Sequence, residues 1–435
     1  MFRGGIMPKR VDVDRNTGFY DKDLETMNKE ERKKRKIEGV LKIFKYAYEN
    51  AKGYKKFIDS AGISPDSIKT IDDFAKVPVL KKNRMPELHH NELPFGGFLA
   101  VPVESLKRIY VSPGPIYDPE GRKDDYWGLK KCLYNIGFRK GDIVMNTFSY
   151  HLTPAGIFLD EACNGLGCVT VPTGVGNTEI QLRTMVELKI NGYIGVPSFL
   201  MALINKMPEL GYDVKKDLYM DIALVAGEIL SPSLRKSIND YGITIRQAYI
   251  TADVGNIAYE CPFENGMHID DNIYLEICDP KSGEPLPVGE VGEVVVTMFT
   301  NDVYPLVRYG TGDLSAIVEE ECPCGRTSRK IKGIFGRADE VTKIKGMFVH
   351  PRQIDEVAAR FPNEIEKIRI VVTREGVTDI MTVEVVLKVG VQGTDTLKSL
   401  IEERVRDITK LRGNVVFVTA IPEGSKKIED KRKWD

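Results

Sequence analysis

Between Ile109 and Val296 short apolar runs alternate with segments of helical spacing: IVMNTF precedes GIFLDEACNGLG, CVTVP precedes EIQLRTMVELK, GYIGVP precedes FLMALINKM, and IALVAG precedes SPSLRKSIND. Short Val/Ile-rich strands alternating with helices predict parallel strands joined by crossover helices, an α/β layered core. Ser231 followed by Pro232 supplies an N-cap and a proline at the first helical position for the last of these helices. Upstream, residues 26–60 place Ile37, Val40, Leu41, Phe44 and Ala47 at helical spacing among lysines and glutamates, which predicts one amphipathic helix. The Pro/Gly-rich stretch 279–292 predicts a turn between strands, with VGEVVVT continuing a β-rich subdomain. Beyond Asp339 the order changes to strand IRIVVT, strand MTVEVVLKV, helix TLKSLIEERVRDITKL and strand NVVFVTAI, a small α+β unit. The expected fold class is α/β, with a large multi-layer N-terminal domain over 1–337 and a small mobile α+β domain over 338–435.

A length of 435 residues requires more than one ordinary core. The formal charge of -1 gives no electrostatic case for a nucleic-acid or membrane partner. The basic runs Lys33–Lys36 and Lys426–Lys427 are offset by nearby acids and read as solvated faces. No apolar run reaches the roughly twenty residues of a membrane span, and the first sixteen residues lack the apolar segment of a secretory signal, so a cytoplasmic location is expected. Seven cysteines, an odd number in a long chain, predict reduced thiols in place of a disulfide framework.

The run from Tyr304 to Glu340 concentrates special-purpose residues. It contains YPLVRYGTGDL, then CPCG, then GRADE. In CPCG, Cys322 and Cys324 form a knuckle in which two thiolates can face one ion. Cys261 and His268, with six residues between them, offer a third thiolate and an imidazole. Together they make a Cys₃His set suited to closed, structural tetrahedral zinc, a reading preferred here over reduced buried thiols. Cys132, Cys163, Cys168 and Cys278 read as core residues.

YPLVRYGTGDL, GRADEVTKIKGMFVHPRQIDE, VPTGVGNTEIQ and the terminal IPEGSKKIEDKR, which keep the family's motif order along the chain, resemble the acyl-adenylate-forming (AMP-dependent synthetase and ligase) superfamily, specifically its phenylacetate-CoA ligase branch. The resemblance covers the chain from about residue 25 onward and implies an ATP-dependent acid-CoA ligase. A carboxylate attacks the α-phosphate of ATP to give an acyl-AMP and pyrophosphate, and the thiol of coenzyme A then displaces AMP. ATP, Mg²⁺, coenzyme A and a small carboxylic acid are thereby implied, and a homodimer is left open. Two other readings stay open: a relative that binds nucleotide or acyl-adenylate without turnover, and an adenylating enzyme that hands its acyl group to a carrier protein.

The resemblance implies individual roles. Asp313 in GTGDL would accept bonds from the ribose hydroxyls, although an aspartate beside glycine also commonly bonds its own backbone. Gly227 and Glu228 would border the adenine and Tyr249 would stack on it. Asp253 would stand where the family has its magnesium-associated glutamate, with Ile250 replacing the family's glycine and Ala252 its threonine. Lys426 or Lys427 would reach the α-phosphate and acyl carboxylate, Arg337 would lie near the nucleotide, and Asp339 would be the hinge. Phe148, Tyr150, His151 and Phe199 would line a partly aromatic acid pocket, with a satisfied core histidine as the alternative for His151. One loop departs from the pattern: at Tyr110–Pro115 only Ser112 and Gly114 remain of a Ser/Thr/Gly-rich phosphate cradle, and Pro113 and Pro115 donate no N–H. Either Tyr117, Arg122 or Lys123 holds pyrophosphate instead, or use of ATP is weakened.

Overall fold

A computed structural model describes residues 14–113, 115–338, 342–344, 347–349, 351–375 and 378–432. The chain forms two compact units. The first takes the described residues up to 290 with 295–311 and 316–333; the second takes 291–294, 312–315 and the described residues from 334 onward.

The first unit is organised by a nine-stranded sheet in the order Ile317–Val318, Lys330–Ile331, Met267–Ile269, Gly255–Glu260, Thr244–Thr251, Ile222–Val225, Gly192–Gly195, Ile143–Asn146 and Val169–Pro172. Its last five strands are parallel, as the alternating pattern predicts. Successive residues of the strand Ile222–Val225 serve opposite faces. Ile222 and Leu224 pack with Leu129, Leu133 and Phe158 on one side, while Ala223 and Val225 pack with Leu182, Leu203 and Ile238 on the other. This two-sided burial explains why such strands read as continuous apolar runs without alternation. The predicted helices follow at Ala155–Leu166, Thr178–Glu187, Pro197–Lys206 and Pro232–Asn239, the last capped by the Ser231 hydroxyl accepting from Leu234 N–H.

The single helix expected over 26–60 is two helices, Lys29–Asn50 and Lys52–Ser60, broken at the extended residue Ala51. The break lets Gly53 donate to Gly97 O at 2.7 Å, a backbone approach that only glycine permits, since a Cβ there would collide with Gly96 O. The buried stripe is Val40, Ile43, Phe44 and Ala47, with Ile37 and Leu41 half-buried.

Two further pieces support the site. Arg108–Ser112 and Ile116–Glu120 form an antiparallel hairpin with Tyr110 opposite Asp118. Arg308, fully buried, donates to Glu276, Ala75 O, Val77 O and Gly283 O, tying segments more than two hundred residues apart.

The second unit holds a four-stranded sheet in the order Asn414–Phe417, Thr378–Leu387, Ile365–Glu375 and Ile428–Asp430. The central pair is antiparallel and each outer strand runs parallel to its neighbour. Helices Pro351–Ala359 and Asp395–Thr409 cover it through Ile354, Val357, Ile401 and Val405. The helix Pro351–Ala359, the strand Ile428–Asp430 and the hairpin Thr342–Ile344 with Met347–Val349 were not among the sequence expectations. Strands of three residues are too short to show alternation. The expected hinge, Asp339, lies outside the described residues.

Candidate active site and metal centre

Because the strands are parallel, the loops that follow them emerge on one side of the sheet, the side on which open α/β sheets bind ligands. Phe148 and Tyr150 follow Asn146, Gly174 follows Pro172, and Gly227 with Glu228 follows Val225. Phe148 lies beside Gly227, its ring 3.8 Å from where a Cβ would stand, and Gly227 holds a φ of +81° that favours glycine. Tyr150 lies beside Gly174 and its buried hydroxyl has no hydrogen-bond partner among the described residues. Burial pushes that phenol well above its ordinary pKa. Phe199 is half-buried against the core. His151 is solvent-exposed, which removes the core-histidine alternative. Glu228 is exposed and accepts weakly from Ser198 N–H at 3.4 Å.

Asp253 sits in the tight connection between the antiparallel strands Thr244–Thr251 and Gly255–Glu260, and a register shift at Tyr249/Ile250 precedes it. Tyr249 is buried. The Asp253 carboxylate is 3% exposed and accepts from Lys82 Nζ at 2.5 Å. Asp118, which interacts with it, is 1% exposed, and burial followed by the charge of Asp253 pushes its carboxyl up to about 7. Ser112 lies on the same face of the hairpin as Asp118, its hydroxyl depressing that pKa without reaching hydrogen-bond geometry. Of the three substitutes considered for the phosphate cradle, Tyr117 stacks on His89 at 5.8 Å, Lys123 pairs with Asp302 at 3.0 Å, and Arg122 is exposed.

His89 gives this region a pH dependence. Its Nδ1 accepts from Tyr117 N–H, so Nε2 carries the proton and donates to the Tyr304 hydroxyl at 2.7 Å. Burial lowers its pKa to about 4. The unfolded chain therefore binds this proton between roughly pH 6.5 and 4 while the folded chain does not, and the stabilisation present above pH 6.5 is lost as pH falls through that window. Denaturant titrations at pH 4.5 and 7.5 should show a stability loss that His89→Gln reduces by about 2–3 kcal/mol. An unchanged loss in that variant would place the acid sensitivity elsewhere.

In the second unit Asp313 and Arg337 face one another across an isolated bridge, with Arg337 Nη1 3.1 Å from Asp313 Oδ1. Gly312, at φ +77°, makes room for that guanidinium: a Cβ would stand 2.5 Å from Arg337 Nη2. Lys427 Nζ lies 2.8 Å from Asp355 Oδ1, whereas Lys426 has no ion pair among the described residues.

The cysteine set assembles in the first unit. The ligand atoms of Cys261, His268, Cys322 and Cys324 all lie within 4.8 Å of one another. Cys261 Sγ is 3.4 Å from Cys322 Sγ, and Cys324 Sγ is 3.3 Å from His268 Nε2. The other imidazole nitrogen meets the Ser328 hydroxyl at 3.2 Å, the arrangement that fixes the ring of a metal-bound histidine. The donor set and its spacing fit tetrahedral zinc. The neighbouring Cys261 holds the Cys324 thiol well below its ordinary range, and Cys261 is itself pushed up by Cys324 and by burial. Cys132, Cys163, Cys168 and Cys278 are buried and unbridged, as expected of core residues.

No helix among the described residues is long and apolar enough to cross a membrane. No family model matches the chain. It is 30% identical to the phenylacetate-coenzyme A ligase of Thermus thermophilus, over 93% of its own length and 96% of that protein's. It is 29% identical to the Escherichia coli enzyme of the same name, over 84% of each. Among solved structures it is similar to an open conformation of 2-hydroxyisobutyryl-CoA ligase in complex with 2-HIB-AMP and CoA, with a TM-score of 0.86, 24% identity and 97% of both chains covered. The postadenylation state of that ligase with 2-HIB-AMP matches at a TM-score of 0.76 and 25% identity over 97% of this chain and 95% of that one. A likeness that runs nearly end to end in both sequences places the chain in the phenylacetate-coenzyme A ligase family, the AMP-forming acid-CoA ligases.

Proposed function

We propose that this chain activates an aryl or other compact carboxylic acid, phenylacetate-like in size, and transfers it to coenzyme A. The observation that carries this reading is the pairing of Phe148 and Tyr150 with the Gly174 and Gly227 loops at the carboxyl ends of the parallel strands. In a chain of this family, such walls suit a flat or compact acyl group.

In the first half-reaction a carboxylate oxygen forms a bond to the α-phosphorus, the bond from that phosphorus to the bridging oxygen breaks, and pyrophosphate leaves with the electron pair. In the second, the coenzyme A sulfur attacks the acyl carbon and AMP departs. Asp313 would hold the ribose and Arg337 the nucleotide, Gly227, Glu228 and Tyr249 would border the base, and Lys426 or Lys427 would screen charge developing at the α-phosphate. Asp253 fits a magnesium ion, which when bound would neutralise the departing phosphates; the Ser112 hydroxyl stands beside this region. Asp339 would be the hinge between domains over 1–337 and 338–435, and the zinc of the Cys₃His set would be structural, since four protein ligands leave no open position. The unbridged cysteines suit a reducing, cytoplasmic setting.

A panel of aryl, branched and short aliphatic acids, with ATP and Mg²⁺ and with or without coenzyme A, tests this. Acid-dependent pyrophosphate release and coenzyme A-dependent AMP release are expected for aryl acids. Release confined to extended fatty acids would overturn the compact pocket, and nucleotide binding without pyrophosphate exchange would identify a non-catalytic relative.

A further inference from the structure

Asp118 belongs to none of the motifs that carry the family resemblance, yet it is a carboxyl group buried to 1% exposure. The hairpin register places it opposite Tyr110 and diagonal to Ser112 on one buried face. Neither of its carboxyl oxygens has a hydrogen-bond partner among the described residues. Asp253 shares this condition at Oδ2, its Oδ1 being taken by Lys82. The hydroxyls of Ser112, 5% exposed, and of Tyr309, fully buried beside Asp253, also lack hydrogen-bond partners among the described residues. Among the described residues three buried carboxyl oxygens and two buried hydroxyls of one neighbourhood are thus without partners. A buried carboxylate without hydrogen bonds costs several kcal/mol, and a second carboxylate whose charge reaches it adds to that cost.

Lys82 neutralises one of the two charges. A hard divalent cation takes oxygen ligands of this kind. With both carboxylates ionised and Lys82 charged, the cluster carries -1; a divalent cation turns it to +1, the sign that receives phosphates. This also answers the departure in the neighbouring loop, where Pro113 and Pro115 remove backbone donors next to Ser112.

We infer that Asp118 is a second protein ligand, with Asp253 and the Ser112 hydroxyl, for a divalent cation that seats on the protein before nucleotide arrives. The inference deepens the adenylating reading of the same site, but its test does not depend on turnover.

Nucleotide-free, zinc-loaded protein is titrated with Mn²⁺ and free Mn²⁺ is followed by electron paramagnetic resonance. One Mn²⁺ per chain is expected for the unaltered protein, weakened at least about tenfold in Asp118→Asn. Lys82→Met should bind Mn²⁺ more tightly, because it removes the cation that competes for Asp253. No Mn²⁺ binding without nucleotide, or equal affinity in the unaltered protein and Asp118→Asn, overturns the inference. If Asp118→Asn does not fold, Lys82→Met decides: unchanged or weaker Mn²⁺ binding there overturns it as well. Intact Mn²⁺ binding with no acid supporting pyrophosphate release would sink the ligase reading and leave the cation site standing.

Discussion

Cys322→Ser is expected to abolish binding of the one zinc per molecule proposed for the Cys₃His set, and to lower the melting midpoint by about 10 °C or more. Cys261 follows the strand Gly255–Glu260, His268 lies in Met267–Ile269, and Cys322 and Cys324 precede Lys330–Ile331, so one ion bound there would join three strands of the nine-stranded sheet. His268 pairs in register with both Tyr259 and Lys330, which means that the ligands are delivered by the sheet and the sheet is in turn clamped by them. Binding energy of this kind is folding energy, because the unfolded chain presents no such site. Removing one thiolate leaves three ligands and an orphaned charge. Metal analysis with scanning calorimetry reads the outcome, and Cys278→Ser, at a buried cysteine against Arg308, serves as the comparison that should keep its zinc. Protein purified without chelators that holds no zinc, together with an unchanged midpoint in Cys322→Ser, would sink the idea. Below its melting midpoint the variant should still release pyrophosphate, since a closed site gives the metal no substrate to touch.

The contrast between this centre and Asp118 shows where sequence reading reaches its limit. Cys-Pro-Cys-Gly and Cys-x₆-His are visible because cysteine and histidine carry few bland explanations at such spacing, even though Cys261 and Cys322 are 61 residues apart. The parallel strands are visible because burial on both faces writes itself as short continuous apolar runs such as Ile222–Val225. Asp118 has neither advantage: it lies in IYDPE, a strand with a proline beside it, and only the hairpin register and the approach of Asp253 reveal that its carboxyl is enclosed. The same holds for Arg308, whose side-chain partners come from segments that no local pattern connects. His151 errs in the opposite direction. An aromatic neighbourhood in sequence suggests burial, but the loop carries Tyr150 inward and leaves the next side chain in solvent.

Lys426→Ala should reduce acid-dependent pyrophosphate release by about 10²–10³-fold, the usual cost of removing a charge aimed at a developing transition-state charge. Lys427→Ala should cost less than about tenfold. The two lysines are adjacent, and in extended chain successive side chains point to opposite sides, so one of them at most can serve a given phosphate. Lys427 is committed: its carbonyl accepts from Ile370 N–H at 2.8 Å at the start of the strand Ile428–Asp430, and its ammonium pairs with Asp355 on the helix Pro351–Ala359. Both members of that pair are largely exposed, so losing it removes at most about 1 kcal/mol. Lys426, exposed and without an ion pair among the described residues, is the one able to swing onto a ligand. Because the charge it would screen exists only while the carboxylate attacks the α-phosphorus, thioester formation from supplied acyl-AMP and coenzyme A should stay within a few-fold of the unaltered rate in Lys426→Ala. An equal loss of both half-reactions would show that Lys426 acts on folding or on binding in general. A larger loss in Lys427→Ala than in Lys426→Ala would hand the role to its neighbour and make the Asp355 pair a contact broken for adenylation.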